Sequence, residues 1–191
     1  MNNTLALDRE IVSSRTINEA IGVTFFILAT IFGAYIRIPV PGTPVPITLQ
    51  TFFVVMSGAV LGKKLGLFSQ AGYIFLGALG LPVFQGYIFG MAHLLGPTGG
   101  YLIGFMVAAY LTGKILQSGN AGIFKMAASF AVANIALYTC GVLWLMLVYK
   151  IGIASAVRIG VLPFVAVESI KILAATFAYR LIADRSRTIF S

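Results

Sequence analysis

Two opposite charges, Glu168 and Lys171, lie inside the apolar stretch AVESIKILA at residues 166–174. Residues three apart lie on one face of a helix, so the two side chains can pair. A carboxylate accepts N–H donors and an ammonium recognises an anion, so the face they share is a candidate for ligand binding. The competing interpretation is a buried salt bridge that only holds helices together. We favour ligand binding because desolvation offsets most of the attraction in such a pair.

Five uncharged polar residues are candidates to line the same cavity, amid many aromatic residues: Gln50, Gln85, Tyr101, Asn134 and Tyr138. This set suits a small, mostly apolar molecule with a few polar ends. Asn134 and Tyr138 are four apart on one helix face, so they are expected to act together. Each of the five could instead make hydrogen bonds between helices.

The composition places these residues in a membrane. Of 191 residues, 59% are hydrophobic and 9% are charged, and the mean hydropathy of +0.99 is far outside the range of soluble domains. Apolar runs long enough to span a bilayer recur without a polar domain between them. We therefore predict an all-α integral membrane protein with six transmembrane helices, at 17–36, 47–62, 66–81, 99–117, 122–149 and 160–183.

The segments between these helices also carry information. Residues 36–50 hold four of the seven prolines and should form a stiff, ordered external loop after the first helix. Residues 80–101 are glycine-rich yet apolar, which favours a segment folded onto the mouth of a cavity. The two could form a lid, although two ordinary connections are the alternative.

The positions of the basic residues predict the orientation. Lys and Arg near the ends of spans stay in the cytoplasm, and most of them lie on the side of the termini: Arg9, Arg15, Lys63, Lys64, Lys114, Lys125, Arg180, Arg185 and Arg187. We therefore expect a multi-pass plasma-membrane protein with both termini cytoplasmic. In this division residues 1–16 form an N-terminal segment without signal-peptide character, 17–183 the membrane domain and 184–191 a tail.

Several function classes are disfavoured by the sequence. The net charge of +8 is explained by cytoplasmic loops, without nucleic acid. His93 is the only histidine and lacks metal-ligating neighbours, and no nucleophile has a base nearby in sequence, so neither a metal site nor an enzyme is expected. GAVLGKK at residues 58–64 lacks the spacing of a phosphate-binding loop. A driving force for any energy-coupled process should therefore come from another chain.

Four stretches carry a resemblance to a known family: IPVPGTPVPITLQTFFVVMSGAVLGKKLG, YIFLGALGLPVF, LGPTGGYLIGF and VESIK. They resemble the BioY family, the biotin-specific S component of energy-coupling factor (ECF) transporters, in order over residues 30–180. The resemblance implies a six-helix protein of the bacterial plasma membrane that captures biotin externally under a lid. Two cytoplasmic ATP-binding subunits and a transmembrane T subunit would drive release inward, with ATP used by those partners and no cofactor on this chain.

The resemblance also implies roles for particular residues. Glu168 and Lys171 match the acidic residue and the lysine of the family's biotin pocket. Glu168 can accept the ureido N–H groups, while Lys171 either orients Glu168 or meets the valerate carboxylate. Tyr101 is implied to lie near the ligand, as are Gln50, Thr43 and Thr48.

Two departures from the family pattern accompany these matches. QGYIFGMAH replaces a run of small residues after LPVF, and the helix 1 pair expected to dock the T subunit is Ala29 and Gly33 rather than two alanines. The alternatives to biotin capture are an S component for another vitamin and a ligand-free membrane scaffold.

Overall fold

The computed structural model describes residues 2–117 and 121–190. They form seven α-helices, a 3-10 turn at Leu162–Phe164 and one two-stranded hairpin. The helices are α1 Asn2–Tyr35, α2 Gln50–Ala78, α3 Met91–Leu94, α4 Gly99–Leu116, α5 Ile123–Tyr149, α6 Ile153–Gly160 and α7 Val165–Phe190; the strands are β1 Arg37–Ile38 and β2 Ile47–Thr48. The prediction of an all-helical membrane protein is confirmed at this level.

The predicted count of six spanning helices differs from the helices observed. Five helical segments of the described chain are long and apolar enough to span a membrane: Arg15–Tyr35, Gln50–Ala78, Gly99–Leu116, Ile123–Tyr149 and Ile153–Ser186. The difference comes from α2, which contains both the second and the third predicted spans. Helix also extends beyond the predicted ends, since α1 begins at Asn2 and α7 continues to Phe190.

The long helix α2 folds back on itself at Gly62. The backbone there has φ 80° and ψ 177°, a left-handed conformation that favours glycine. The amide Nε2 of Gln70 donates to Oγ of Ser57 at 3.1 Å, whereas residues thirteen apart in a straight helix would be separated by about 20 Å. The helix is therefore two antiparallel arms, 50–61 and 63–78, joined at the end of the second predicted span.

Close helix packing builds the bundle around α4, which lies between α2 and α5, while α7 contacts both α2 and α5. A Cβ atom on Gly58 would lie 2.1 Å from the carbonyl oxygen of Ala109, so the glycine is needed for the approach of α2 to α4. On the outside, large apolar side chains such as Phe25 and Leu28 are each 60% exposed. Such surfaces suit contact with lipid.

The predicted docking pair on α1 is only partly on that outer surface. Ala29 is half-buried, but Gly33 is buried, and a Cβ there would lie 3.0 Å from the backbone nitrogen of Gln50. Gly33 therefore serves the contact between α1 and the start of α2. Docking of a partner through this pair stays a prediction, and the position of Gly33 does not favour it.

Each of the two segments predicted to cover the cavity makes defined contacts. In the first, β1 and β2 pair antiparallel, with Arg37 opposite Thr48, and no part of residues 36–49 is helical. In the second, Phe84 is fully buried and packs edge-on against Tyr73 with ring centroids 5.6 Å apart. Both segments are thus folded onto the helix bundle.

We expect Gly58→Ala to lower the free energy of unfolding by roughly 1–3 kcal/mol, because the added methyl group overpacks the contact between α2 and α4. Thermal unfolding of the detergent-purified protein measures the change. Gly152→Ala is the matched control, since a Cβ at Gly152 meets no atom within 4 Å. Equal melting temperatures for the two variants would contradict this account of the packing.

Candidate ligand-binding site

A closed cavity lies under the two loops, between α2, α4, α5 and α7. Its wall is formed by residues 45–48 of the first loop and by side chains of the helices. The polar lining residues are Thr48, Gln50, Thr51, Gln85, His93, Thr98 and Glu168, and the aromatic ones are Tyr73, Tyr101, Phe105, Tyr138 and Phe164. A mostly apolar wall with a few convergent polar groups is typical of small-molecule sites.

The charged pair forms one buried network at the edge of this cavity. Lys171 Nζ forms an ion pair with Glu168 Oε1, and the two residues are only 8% and 7% exposed. The same ammonium donates to Oγ1 of Thr51 at 2.6 Å and to the backbone oxygen of Thr48 at 2.8 Å. Thr51 in turn donates to Glu168 Oε1 at 3.1 Å. Lys171 thereby links the pair to the end of the first loop.

One oxygen of the carboxylate is not used by this network. Glu168 Oε2 is buried and has no hydrogen-bond partner among the residues that the structure describes. A buried acceptor without a donor costs about 1–3 kcal/mol, and more when it is charged. Because Glu168 lines the cavity, this oxygen is a candidate acceptor for an N–H or O–H donor of a ligand.

A second polar network fixes Gln50 at the start of α2. Its Nε2 donates to the hydroxyl of Tyr73 at 2.8 Å, and its Oε1 accepts from Oγ1 of Thr48 at 3.1 Å. Gln50 is 3% exposed and Tyr73 is fully buried. Both groups face the cavity with their orientation already set by protein partners.

Aromatic rings form another part of the cavity wall. The hydroxyl of Tyr101 donates to the backbone oxygen of Gly160 at 2.8 Å, which fixes the ring. Tyr138 meets Tyr101 edge-on at 5.9 Å and stacks on Phe164 at 6.0 Å. These rings offer flat apolar surface to a ligand, and the Tyr101 hydroxyl is already bound by the protein.

His93 lies on the cavity wall, where neighbouring side chains hold its ring. Its Nε2 is 3.2 Å from Oγ1 of Thr98, and its ring stacks on Phe84 at 4.9 Å. Burial lowers the pKa of His93 below its usual 6.5, so the ring is neutral at pH 7. The described residues contain no group of three or more His, Cys, Asp or Glu that could hold a metal ion.

The structure brings most of the predicted site residues together. The cavity is lined by six of them: Thr48, Gln50, Gln85, Tyr101, Tyr138 and Glu168. Lys171 stands behind Glu168 as its partner. Thr43 lies in the loop, where its hydroxyl accepts from the backbone nitrogen of Val45 at 3.1 Å, and Asn134 lines a neighbouring crevice instead. The ligand-binding roles of all nine stay predictions.

Sequence reasoning missed Thr51, Tyr73, Thr98 and the position of His93 on the cavity wall. Thr51 directly follows Gln50, but its contact with Glu168 spans 117 residues. Tyr73 reaches the cavity because α2 reverses at Gly62, which brings Tyr73 beside Gln50. The available signal for Tyr73 was the pair of consecutive predicted spans at 47–62 and 66–81, whose short connection makes them antiparallel neighbours.

Comparisons with known proteins agree on what this fold and cavity represent. The fold is shared with a solved membrane protein described as the S-component for biotin from an ECF-type ABC transporter, with a TM-score of 0.78 and 26% identity over 96% of this chain and 95% of that one. The class is thus that of small-ligand-binding membrane subunits. The family model "BioY family" matches residues 3–188, and this chain belongs to the BioY family.

Curated relatives give the same assignment. A probable biotin transporter BioY of Pyrococcus horikoshii is 40% identical over 163 residues, which cover 85% of this chain and 92% of that protein. A biotin transporter BioY of Thermotoga maritima is 40% identical over 164 residues, covering 85% of this chain and 95% of that protein. The resemblance seen in the sequence motifs is confirmed, and these relatives are named as transporters rather than enzymes.

Lys171→Met should lower the free energy of unfolding by about 3–5 kcal/mol, because it leaves the Glu168 charge buried and unpaired. Thermal unfolding without ligand measures the loss, and adding Glu168→Gln should restore part of it. Arg15→Met breaks the surface pair with Glu19 and should change stability by less than about 1 kcal/mol. A double variant no more stable than Lys171→Met would contradict this interpretation.

Acidification should destabilise the protein through His93. A pKa lowered in the folded state means that the unfolded chain binds more protons, so the stability from the neutral ring is lost as pH falls below 6.5. Melting temperatures measured between about pH 7.5 and pH 5.5 should fall further for the wild type than for His93→Gln. Parallel curves for the two proteins would exclude this contribution.

Proposed function

We propose that this chain is the biotin-binding S component of an ECF-type vitamin uptake transporter. It captures biotin on the external side of a bacterial plasma membrane for release inward. The observation that supports this most directly is the buried Glu168–Lys171 pair, with one carboxylate oxygen left available in an otherwise apolar cavity. Membership of the BioY family and the likeness to a biotin S-component support the choice of ligand.

The chemistry of biotin suits this cavity. Its ureido ring carries two N–H donors, its fused sulfur ring is apolar, and its valerate chain ends in a carboxylate. Glu168 Oε2 can accept a ureido N–H in a charge-assisted hydrogen bond, and the rings of Tyr101 and Tyr138 give the apolar part flat surface. In this arrangement Lys171 mainly orients Glu168, because its ammonium already has three protein acceptors.

The loop at residues 36–49 acts as the lid in this proposal. Residues 45–48 cover the cavity, and the backbone oxygen of Thr48 is bound by Lys171. A ligand that binds Glu168 therefore alters its ion pair with Lys171, and Lys171 passes this change to the end of the lid.

The proposed topology has six membrane crossings with both termini cytoplasmic. The reversal of α2 at Gly62 supports two crossings within that helix, with Lys63 and Lys64 at its turn. Arg15, Lys63 and Lys64 line one groove together with Phe190, so basic residues of the predicted cytoplasmic side are at one end of the bundle. This grouping agrees with the positive-inside rule.

Transport is driven by partners in this proposal. A transmembrane T subunit and two cytoplasmic ATP-binding subunits supply the ATP-dependent step, while this chain binds no cofactor. The sequence has no phosphate-binding loop, and Glu168 is the only acid between Glu19 and Asp184. A proton-driven mechanism would need further titratable groups inside the membrane.

Calorimetric titration of the purified protein with biotin tests the binding role. Wild type should bind saturably, and Glu168→Gln should weaken binding about 10- to 100-fold, because a hydrogen bond to a charged acceptor contributes about 1.5–3 kcal/mol. Glu19→Gln makes the same substitution outside the cavity and should bind like wild type. Saturating biotin at about 100 times its dissociation constant should also stabilise the protein by about 2.7 kcal/mol.

The same titration separates the alternatives. An unchanged affinity in Glu168→Gln would remove the assigned role of that residue. A folded, biotin-free wild type that binds another vitamin instead would identify a different S component. Absence of any binding would favour a ligand-free scaffold.

A further inference from the structure

Tyr138 and Glu168 separate the closed cavity from a second space. This second space, the lateral crevice, lies between α5, α6 and α7 and is bordered by apolar side chains such as Val142, Val157 and Ile172. The crevice has a volume of about 480 Å³, whereas the closed cavity has about 50 Å³. Sites for small ligands usually enclose about 300–1,000 Å³. The closed cavity alone is therefore too small for a bicyclic ligand with a side chain.

Asn134, which borders the lateral crevice, has an unpartnered acceptor. Asn134 is 5% exposed, and its Nδ2 donates to the backbone oxygen of Phe130 at 3.0 Å. Its Oδ1 has no hydrogen-bond partner among the described residues. Leaving this oxygen without a donor in an apolar setting is unfavourable, so the crevice is built to receive an O–H or N–H group.

Tyr138 carries a donor within reach of that position. It follows Asn134 by four residues on α5, and long side chains on a helix point back over the preceding turn. The Tyr138 ring borders both spaces, as Glu168 does. Tyr101 differs, because its hydroxyl is held by the backbone oxygen of Gly160.

We infer that Tyr138 is a movable wall: ligand entry turns its ring into the lateral crevice, where its hydroxyl donates to Oδ1 of Asn134. The turn joins the two spaces into one pocket of ligand size. With the ring in the crevice, the unpartnered Oε2 of Glu168 accepts the ligand's N–H donor. The crevice therefore sets the size of the ligand that the site accepts. This inference rests on the proposed function.

Filling the crevice tests the movable wall. Ser169 borders the crevice but not the closed cavity, so Ser169→Phe should block the turn and weaken biotin binding at least about tenfold. Leu173→Phe adds an aromatic ring at a position of α7 that is 57% exposed and outside the crevice, and it should bind like wild type. Both are compared by calorimetric titration of the full chain in detergent.

A double-mutant cycle tests the hydrogen bond without adding bulk. Tyr138→Phe and Asn134→Leu should each weaken biotin binding severalfold. The double variant should bind biotin no more weakly than the weaker-binding single variant, because both changes remove the same hydrogen bond. Melting temperatures without ligand show that each variant is folded.

The outcomes separate this inference from the proposed function. Two results would overturn the movable wall and leave biotin binding by the wild type intact. One is wild-type affinity in a folded Ser169→Phe variant, and the other is additive losses of biotin affinity in the double variant. A wild type that binds no biotin would overturn both.

Discussion

A charge inside a membrane-spanning helix must be paired and hydrogen-bonded, and this requirement organises the site. Glu168 and Lys171 meet it through each other, through the Thr51 hydroxyl and through the backbone oxygen of Thr48. These groups come from α7, the start of α2 and the end of the first loop. Because the cost of an unpaired charge is high, the three elements are held together by the same few contacts that leave Glu168 Oε2 without a protein partner.

Glycine makes this arrangement possible at two positions. Gly62 lets α2 reverse, which places Tyr73 beside Gln50 on the cavity wall. Gly58 lets α2 approach the backbone of α4 at Ala109. A lipid-embedded bundle gains little from hiding apolar surface, so close contact of this kind has to supply much of its cohesion. The exposed apolar side chains of α1 and α7 are then left for lipid.

Local rules predicted the parts of the structure that depend on neighbouring residues. The pairing of Glu168 with Lys171 follows from their spacing, and the four prolines keep residues 36–49 out of a helix. Contacts across the bundle were not predictable in this way. Asn134 and Tyr138 share a helix face, but they do not border the same spaces. Tyr138 and Glu168 border both the closed cavity and the lateral crevice, whereas Asn134 borders only the crevice. The contact of Thr51 with Glu168 likewise depends on how α2 and α7 pack.

The link between Lys171 and the loop uses the main-chain oxygen of residue 48, not its side chain. Every amino acid presents that oxygen, so substitutions at this position leave the attachment itself intact as long as the strand pairing of Arg37 with residue 48 persists. Selection on the loop is thereby divided: the contact with Lys171 constrains the path of the backbone, whereas the side chain at 48 is constrained by its hydrogen bond with Gln50. A substitution at 48 therefore changes the cavity wall and the contact with Gln50, while the link from the backbone to Lys171 stays in place.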